Sequence, residues 1–439
     1  MKYGILAALA CGLCLVNVWH SYHDVQNFGG TDLRARVVGA RALVRGINPY
    51  SIKDTTDLDP ALRDPDQSGL SRCTYPLTLL CFYAPLSSLK YPNQRVIWAV
   101  LEWSAFLASV LVLSACIRSQ QAKYWFFVAA VGLFGSSFVW RLHVERGQYY
   151  VFIVLLIGIG MLLILKTQHA VASGIFWGLA ICLRPTVGLL VVPWLMSSQR
   201  RTAITAIATA VISVTAATIV GRPEYWLDFL KLSHAWEQSV LGAELPDTVF
   251  ESAISGPTDG YNTAMLENYA ANLTFDSLAL SVQTIVNVRL DPTNVARAGK
   301  VLWLFVIATI WILQWKRKRS QIVQADDQIL VGSCMMLVTD YFLPIRIEYA
   351  DVLFLIPMAL LMPLIIRKEN HILAAVFVIA MLIPLAPLSI LPFNASAPAA
   401  MLRSCMAIYL LVRFALLGLQ HEDSDKIPDN IIHAHASRN

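Results

Sequence analysis

The chain has 439 residues, of which 56% are hydrophobic and 14% charged, with a mean hydropathy of +0.57 and a net charge of +5. Soluble domains carry about 25% charged residues, so this composition excludes a water-soluble globular protein. The basic residues cluster between apolar runs, where they report topology and headgroup contact rather than nucleic-acid binding.

Apolar runs recur at 3–20, 75–90, 96–117, 124–140, 149–166, 170–183, 187–198, 202–220, 300–315, 326–343, 350–366, 371–388 and 399–419. Several approach the ~20 residues that cross a bilayer, which predicts an all-α polytopic integral membrane protein. The first run is long and no clear small-residue cleavage site follows it, so a retained helix is expected. Basic clusters at Arg200-Arg201, Lys316 to Arg319 and Arg367-Lys368 are expected in the cytoplasm. That places 141–148, 222–299 and 341–349 outside, and 21–74 with them if segment 75–90 dips into the membrane and returns, or on the opposite side if it crosses. Segment 75–90 carries Pro76 and Pro85 and reads as broken or re-entrant. The expected total is then about 12 spans with both termini cytoplasmic, or about 13 if that segment crosses fully. Residues 1–439 make one membrane domain, with 21–74 and 222–299 as external loops and 420–439 as a polar, disordered cytoplasmic tail. Arg184-Pro185 separates two half-length segments, and a cavity is expected at their apex. Six cysteines lie in apolar runs; Cys73 and Cys81 are expected near water, at a spacing that suggests no metal motif.

Two external stretches predict interfacial helices. In "TDLRARVVGARALVRGINPY", Thr31 can cap a helix running to Gly46. Leu33, Val37, Ala40 and Val44 form a stripe suited to lipid, and Arg34, Arg41 and Arg45 one suited to headgroups. In "RPEYWLDFLKLSHAWEQSV", Trp226, Phe229, Ser233 and Trp236 share a face.

Five places carry polar chemistry. Asp32, near the start of the first interfacial helix, reads either as an acid complementing the helix dipole or as a general base at the membrane surface. "RLHVERGQYY" sets Arg141, His143, Glu145, Arg146 and Gln148 at the outer end of two runs. It is either a solvated loop or a functional cluster where charge is costly. Arg184, with no acidic neighbour in sequence, either snorkels to headgroups or binds an anion. Asp340, Arg346, Glu348 and Asp351 gather in "DYFLPIRIEYADVLFLIP"; Arg346 and Glu348 can pair, whereas Asp351 opens an apolar run. Asn272 belongs to the external "NLTFDSL", which by itself reads as a loop.

In order and spacing, these pieces resemble glycosyltransferase family 87 of the GT-C superfamily. That family includes polyprenol-phosphate-mannose-dependent α-1,2-mannosyltransferases and an arabinofuranosyltransferase. The resemblance runs over roughly residues 3–360. It rests on an acid and G-x-x-P-Y turn ("TDLRARVVGARALVRGINPY"), a tyrosine-proline segment ("TYPLTLL"), a glycine-glutamine pair ("RGQYY"), a helix ending in a basic-proline pair ("SGIFWGLAICLRP") and "NLTFDSL". The chain departs from the family pattern at Leu77 after Pro76, at Tyr150 after the glycine-glutamine pair, at Arg184 in place of lysine, and at Ala350-Asp351 in place of histidines.

The resemblance implies a GT-C fold and an inverting transfer from a polyprenyl-phosphate sugar, mannose foremost, to a lipid-linked or glycan acceptor. The enzyme would sit in the cytoplasmic (inner) membrane and work at its external face. Asp32 would be the base. Arg184, with Arg141, Arg146 or Arg346, would meet the leaving phosphate. Glu145, Gln148, His143, Tyr75, Asn272, Glu348 and Asp351 would contact sugar or acceptor. The implied partners are the lipid-linked donor, the acceptor and membrane lipids, with no nucleic acid, no metal and no cofactor beyond the donor. Broken helices and intramembrane charges also fit a transporter or flippase of a lipid-linked anion, and a GT-C oligosaccharide ligase is a further alternative.

Overall fold

The computed structural model describes residues 2–27, 30–51, 73–195, 200–240, 292–318, 325–342, 348–366 and 409. These residues are helical or lie in the turns between helices, with no strand among them. The helices are α1 (Lys2–Asn27), α2 (Thr31–Val44), α3 (Leu77–Tyr83), α4 (Tyr91–Cys116), α5 (Gln120–Phe127), α6 (Phe138–Arg146), α7 (Tyr150–Leu162), α8 (Ala170–Leu183), α9 (Val192–Leu195), α10 (Arg200–Val220), α11 (Pro223–Val240), α12 (Pro292–Lys318), α13 (Ala325–Phe342) and α14 (Leu355–Ile365). The expected runs 371–388 and 399–419, the tail, and most of the 222–299 loop lie outside the described residues.

Among the described residues, four helical stretches are long and apolar enough to cross a bilayer: Gly4–Gln26, Tyr91–Cys116, Tyr150–Thr167 and Arg200–Val220. A fifth candidate is the pair Gln120–Phe134 and Phe138–Arg146, bent by 65°. The described chain is therefore a polytopic all-α membrane protein, with fewer full-length spans among its described residues than the apolar runs alone suggest. Part of the shortfall has a physical cause. Leu77–Leu86, Ala170–Leu183 and Pro185–Leu195 are short apolar helices. At about 1.5 Å rise per residue, each covers well under the ~30 Å hydrocarbon thickness. Proline sets some of these breaks. Pro76 precedes α3, and Pro185 follows Arg184, whose backbone is extended at φ −149.

Outward faces are apolar. Leu9, Leu13, Val16 and Trp19 on α1, and Val211, Ile212 and Ile219 on α10, are exposed, as lipid-facing residues are. Inside, close approach replaces the hydrophobic drive that lipid removes. Gly174 and Gly178 let α8 touch α10. A methyl group at these positions would lie 2.5 Å from the Thr202 carbonyl and 2.6 Å from that of Ala206. Trp140 of α6 is fully buried, stacked between Phe106 at 4.6 Å and His143 at 4.8 Å.

The first interfacial helix forms where expected but not as expected. It starts after Gly30, which occupies the N-cap at φ +48, so Thr31 is its first helical residue rather than its cap. It ends at Val44, and Gly46 follows at φ +70. Its Leu33, Val37 and Ala40 stripe does not lie on lipid; all three are in the protein core. Arg41 is buried too, donating to the carbonyls of Ser87 and Leu89 at 2.7 and 2.8 Å. Arg34 covers the Tyr91 ring at 3.8 Å. Among its described side chains, only Val44 and Arg45, at its end, are exposed. Helix α2 is thus a structural member wedged under its neighbours, with Arg41 held by carbonyls and Arg34 laid over a tyrosine ring.

Helix α11 closes over the turn after α2. Asn48 donates to Asp228 at 2.7 Å, Tyr225 donates to the Gly46 carbonyl at 3.0 Å, and Tyr50 packs on Phe229 at 5.8 Å. Trp226 and Phe229 pack against the same small core cluster, while the Trp236 side chain lies outside the described residues. Cys73 is not near water: it is buried, with its sulfur 2.6 Å from where a methyl on Gly39 would sit.

Candidate functional site

Three helix ends meet at the site. Helix α1 ends at Asn27, α6 ends at Arg146, and α2 begins after Gly30. Arg95 of α4 ties them, with Nη2 reaching the carbonyls of Asp24 at 3.3 Å and Glu145 at 3.5 Å, and Nη1 the Tyr91 hydroxyl at 3.2 Å. A cation among the last carbonyls of two helices is favourably placed against both dipoles. The guanidinium also lies 2.9 Å from where a methyl on Gly30 would be. Gly147 at φ +66 ends α6, and a methyl there would lie 2.6 Å from Leu33 Cβ. Leu33 therefore rests on the Gly147 turn. That contact sets its neighbour Asp32 beside Gln148.

Asp32 is half-buried, and its Oδ2 accepts a hydrogen bond from Gln148 Nε2. The other end of the same amide, Gln148 Oε1, accepts from Arg36 Nη2 at 2.7 Å. Arg36 Nη1 donates to the Gly147 carbonyl at 2.9 Å, and Trp98 donates to the Gln148 carbonyl at 3.2 Å. Arg36 lies four residues after Asp32, one helical turn along α2, and is 1% exposed.

Tyrosines extend the site from Arg36 to Arg184. The Arg36 guanidinium lies 4.4 Å from the Tyr75 ring centre and 5.1 Å from that of Tyr149. Tyr149 stacks on Tyr150 at 4.6 Å, and Tyr150 packs on Tyr349 at 5.7 Å. Arg184 lies 4.7 Å from the Tyr150 ring centre. Burial pushes the Tyr75 phenol well above its ordinary value against the opposing pull of Arg36, so it stays a neutral hydroxyl.

Arg184 has an acidic partner that its local sequence does not reveal. Its Nε donates to Asp340 Oδ1 at 2.9 Å and to Thr186 Oγ1 at 3.1 Å, and its Nη2 also contacts Asp340 Oδ1. Arg184 and Asp340 are both buried. Among the described residues nothing bonds to Arg184 Nη1.

The remaining candidates divide. Arg141 forms a two-pronged pair with Asp24 at the end of α1, one prong at 2.8 Å. His143 is fully buried, with Nδ1 2.9 Å from Glu102 Oε1 and Nε2 accepting from Val151 N at 3.4 Å. It belongs to the core beneath the Gln148 turn. Glu145 and Asp351 are buried, and Arg146 is half-buried. Asn272, Arg346 and the side chain of Glu348 lie outside the described residues. Sequence reading missed Arg36, Tyr149, Tyr150 and Tyr349 as site residues. The i to i+4 spacing from Asp32 pointed to Arg36, and the pair Tyr149-Tyr150 stood beside Gln148.

Buried carboxylates and arginines gathered where membrane helices end define a membrane-embedded polar site of the kind an enzyme or a carrier uses. The model of glycosyltransferase family 87 matches residues 74–339, more than half of the chain. The chain belongs to glycosyltransferase family 87, and it is a membrane glycosyltransferase. The match takes in Gln148, Arg184 and the greater part of α13, and begins after Asp32 and α2. A search of curated proteins found no match. Family membership sets aside the reading as a transporter or flippase.

Proposed function

We propose that this glycosyltransferase moves a sugar, mannose foremost, from a polyprenyl-phosphate donor to a hydroxyl of a lipid-linked or glycan acceptor at the external face of the cytoplasmic membrane. The observation that carries the proposal is the placing of Asp32: a half-buried carboxylate with one oxygen held by Gln148, in a site where tyrosine rings lead to Arg184. Among the described residues, only Gln148 donates to Asp32, so Oδ1 is open to an acceptor hydroxyl.

In the proposed step, Asp32 takes the proton of that hydroxyl as its oxygen bonds to the anomeric carbon. The bond from that carbon to the phosphate oxygen breaks, the electron pair leaves with the polyprenyl phosphate, and the anomeric configuration inverts. A carboxylate is a weak base, and it serves best late in the transition state, when the attacking hydroxyl has become acidic. Arg184, through Nη1, stabilises the charge that develops on the leaving phosphate. Because arginine meets that charge, the scheme calls for no metal ion. Tyr75, Tyr149, Tyr150 and Tyr349 offer rings and hydroxyls to the sugar. Arg141, held by Asp24, and His143, held in the core, become supports for the site rather than ligands.

The test is incubation of the purified protein with a panel of polyprenyl-phosphate sugars and an acceptor extract, reading release of polyprenyl phosphate. Release is expected with the native donor and is lost in Asp32→Asn, whose folding and donor binding persist. Absence of release with every donor, or turnover by Asp32→Asn at the unaltered rate, refutes the proposal.

A further inference from the structure

Gln148 spans two groups of opposite charge with the two ends of one side chain. Arg36 donates to its Oε1 at 2.7 Å, and its Nε2 donates to Asp32 Oδ2. The side chain of Gln148 is fully buried, so water offers it no alternative partner. Its backbone is fixed as well. The Gln148 N–H donates to the His143 carbonyl at 3.0 Å, its carbonyl accepts from Trp98 at 3.2 Å, and the Gly147 carbonyl accepts from Arg36 at 2.9 Å.

From this arrangement we infer that Arg36 and Gln148 are positioning residues that set which oxygen of Asp32 meets the acceptor. Arg36 is the orienter. A guanidinium only donates, so the amide must turn its oxygen toward Arg36 and its NH2 toward Asp32. The NH2 in turn occupies Oδ2 and leaves Oδ1 for the acceptor hydroxyl. A chain of hydrogen bonds running from a cation through an amide to a carboxylate polarises in one sense along its length. The residue types are demanding. A glutamate at this position accepts from Arg36 but, when ionised, has nothing to donate to Asp32. An asparagine is one methylene too short to span both partners. The inference rests on the reading of Asp32 as the base and adds to it the device that aims it.

Gln148→Glu is the sharp test, because it keeps the side chain's length and shape and its contact with Arg36. It is measured with the polyprenyl-phosphate sugar that the unaltered enzyme turns over. The expected result is a fall in kcat on the order of 100-fold near neutral pH, the cost of a small misplacement of a reacting group, with KM for the donor little changed. Lowering the pH restores Gln148→Glu relative to the unaltered enzyme, because the introduced carboxyl, once protonated, again donates to Asp32. In parallel, Arg36→Met lowers kcat in the native background and changes little when added to Gln148→Met, as expected where one residue acts through the other. Full kcat in Gln148→Glu, a loss confined to KM, or additive effects of Arg36→Met and Gln148→Met each overturn the inference. Asp32→Asn, run alongside, separates the two failures. If it is inactive while Gln148→Glu is normal, the aiming device falls and the base stands. If it is active, both fall.

Discussion

Replacing Arg184 with alanine removes a cation bonded to a buried carboxylate. The pair is well desolvated: the Asp340 side chain is 0% exposed and that of Arg184 is 11% exposed. Solvent screening is therefore slight, and breaking such a pair from one side costs about 3–5 kcal/mol. The local sequence suggested a snorkelling or phosphate-binding arginine whose loss would leave the fold intact. The pair with Asp340 predicts instead that Arg184→Ala is strongly destabilised in detergent, measured by thermal unfolding. The double variant Arg184→Met with Asp340→Asn removes both charges and is expected to recover most of that loss, because an ion pair exchanged for neutral groups of similar volume is close to neutral. Donor binding then separates two roles. If Arg184 serves the phosphate through Nη1, the double variant stays stable and still binds donor weakly. If Arg184 only neutralises Asp340, stability and donor affinity return together. An Arg184→Ala protein that unfolds at the temperature of the unaltered one refutes the reasoning.

Other outcomes follow from local geometry. Gly30→Ala places a methyl 2.9 Å from the Arg95 guanidinium at φ +48; it is expected to lose about 1 kcal/mol or more of stability and to lower turnover by shifting Asp32, measured by unfolding and initial rate. Gly178→Val drives side-chain atoms into α10, where a methyl alone already stands 2.6 Å from the Ala206 carbonyl; a loss of about 1–3 kcal/mol is expected in the same unfolding assay. Burial pushes the Cys73 thiol up to about 12. Below that pH the thiolate is scarce, so Cys73 resists maleimide at mildly alkaline pH and reacts after denaturation, which mass spectrometry of the labelled peptide checks. Asn48→Ala breaks the 2.7 Å bond to Asp228, and faster hydrogen exchange is expected along α11 and the Gly46 to Tyr50 turn.

What the sequence showed depended on how far apart the interacting residues are. Signals carried within one helix were readable: the apolar runs, the helix from 31 to the mid-forties, the Gly46 stop, and the break at Arg184-Pro185. The span tally was harder, since an apolar run interrupted by proline has the same composition whether it crosses the bilayer or packs as a short buried helix. The orientation of α2 was not readable either. A basic, weakly amphipathic segment suits headgroups, but arginines can also be held by carbonyls and tyrosine rings, and the fold supplies the Ser87 and Leu89 carbonyls between α3 and α4 to Arg41 and the Tyr91 ring to Arg34. The site's decisive pairs join residues 117, 116 and 156 positions apart, in Arg141 with Asp24, Gln148 with Asp32 and Arg184 with Asp340. Periodicity and capping rules act over one or two turns, so none of these pairings leaves a local trace. The resemblance to the family named the motifs that carry Asp32, Gln148 and Arg184, yet motifs give residues without partners. Arg36 shows the difference. It lies in the same motif as Asp32, and one helical turn away, but only the fold places it against Gln148, where it can decide which way the amide points.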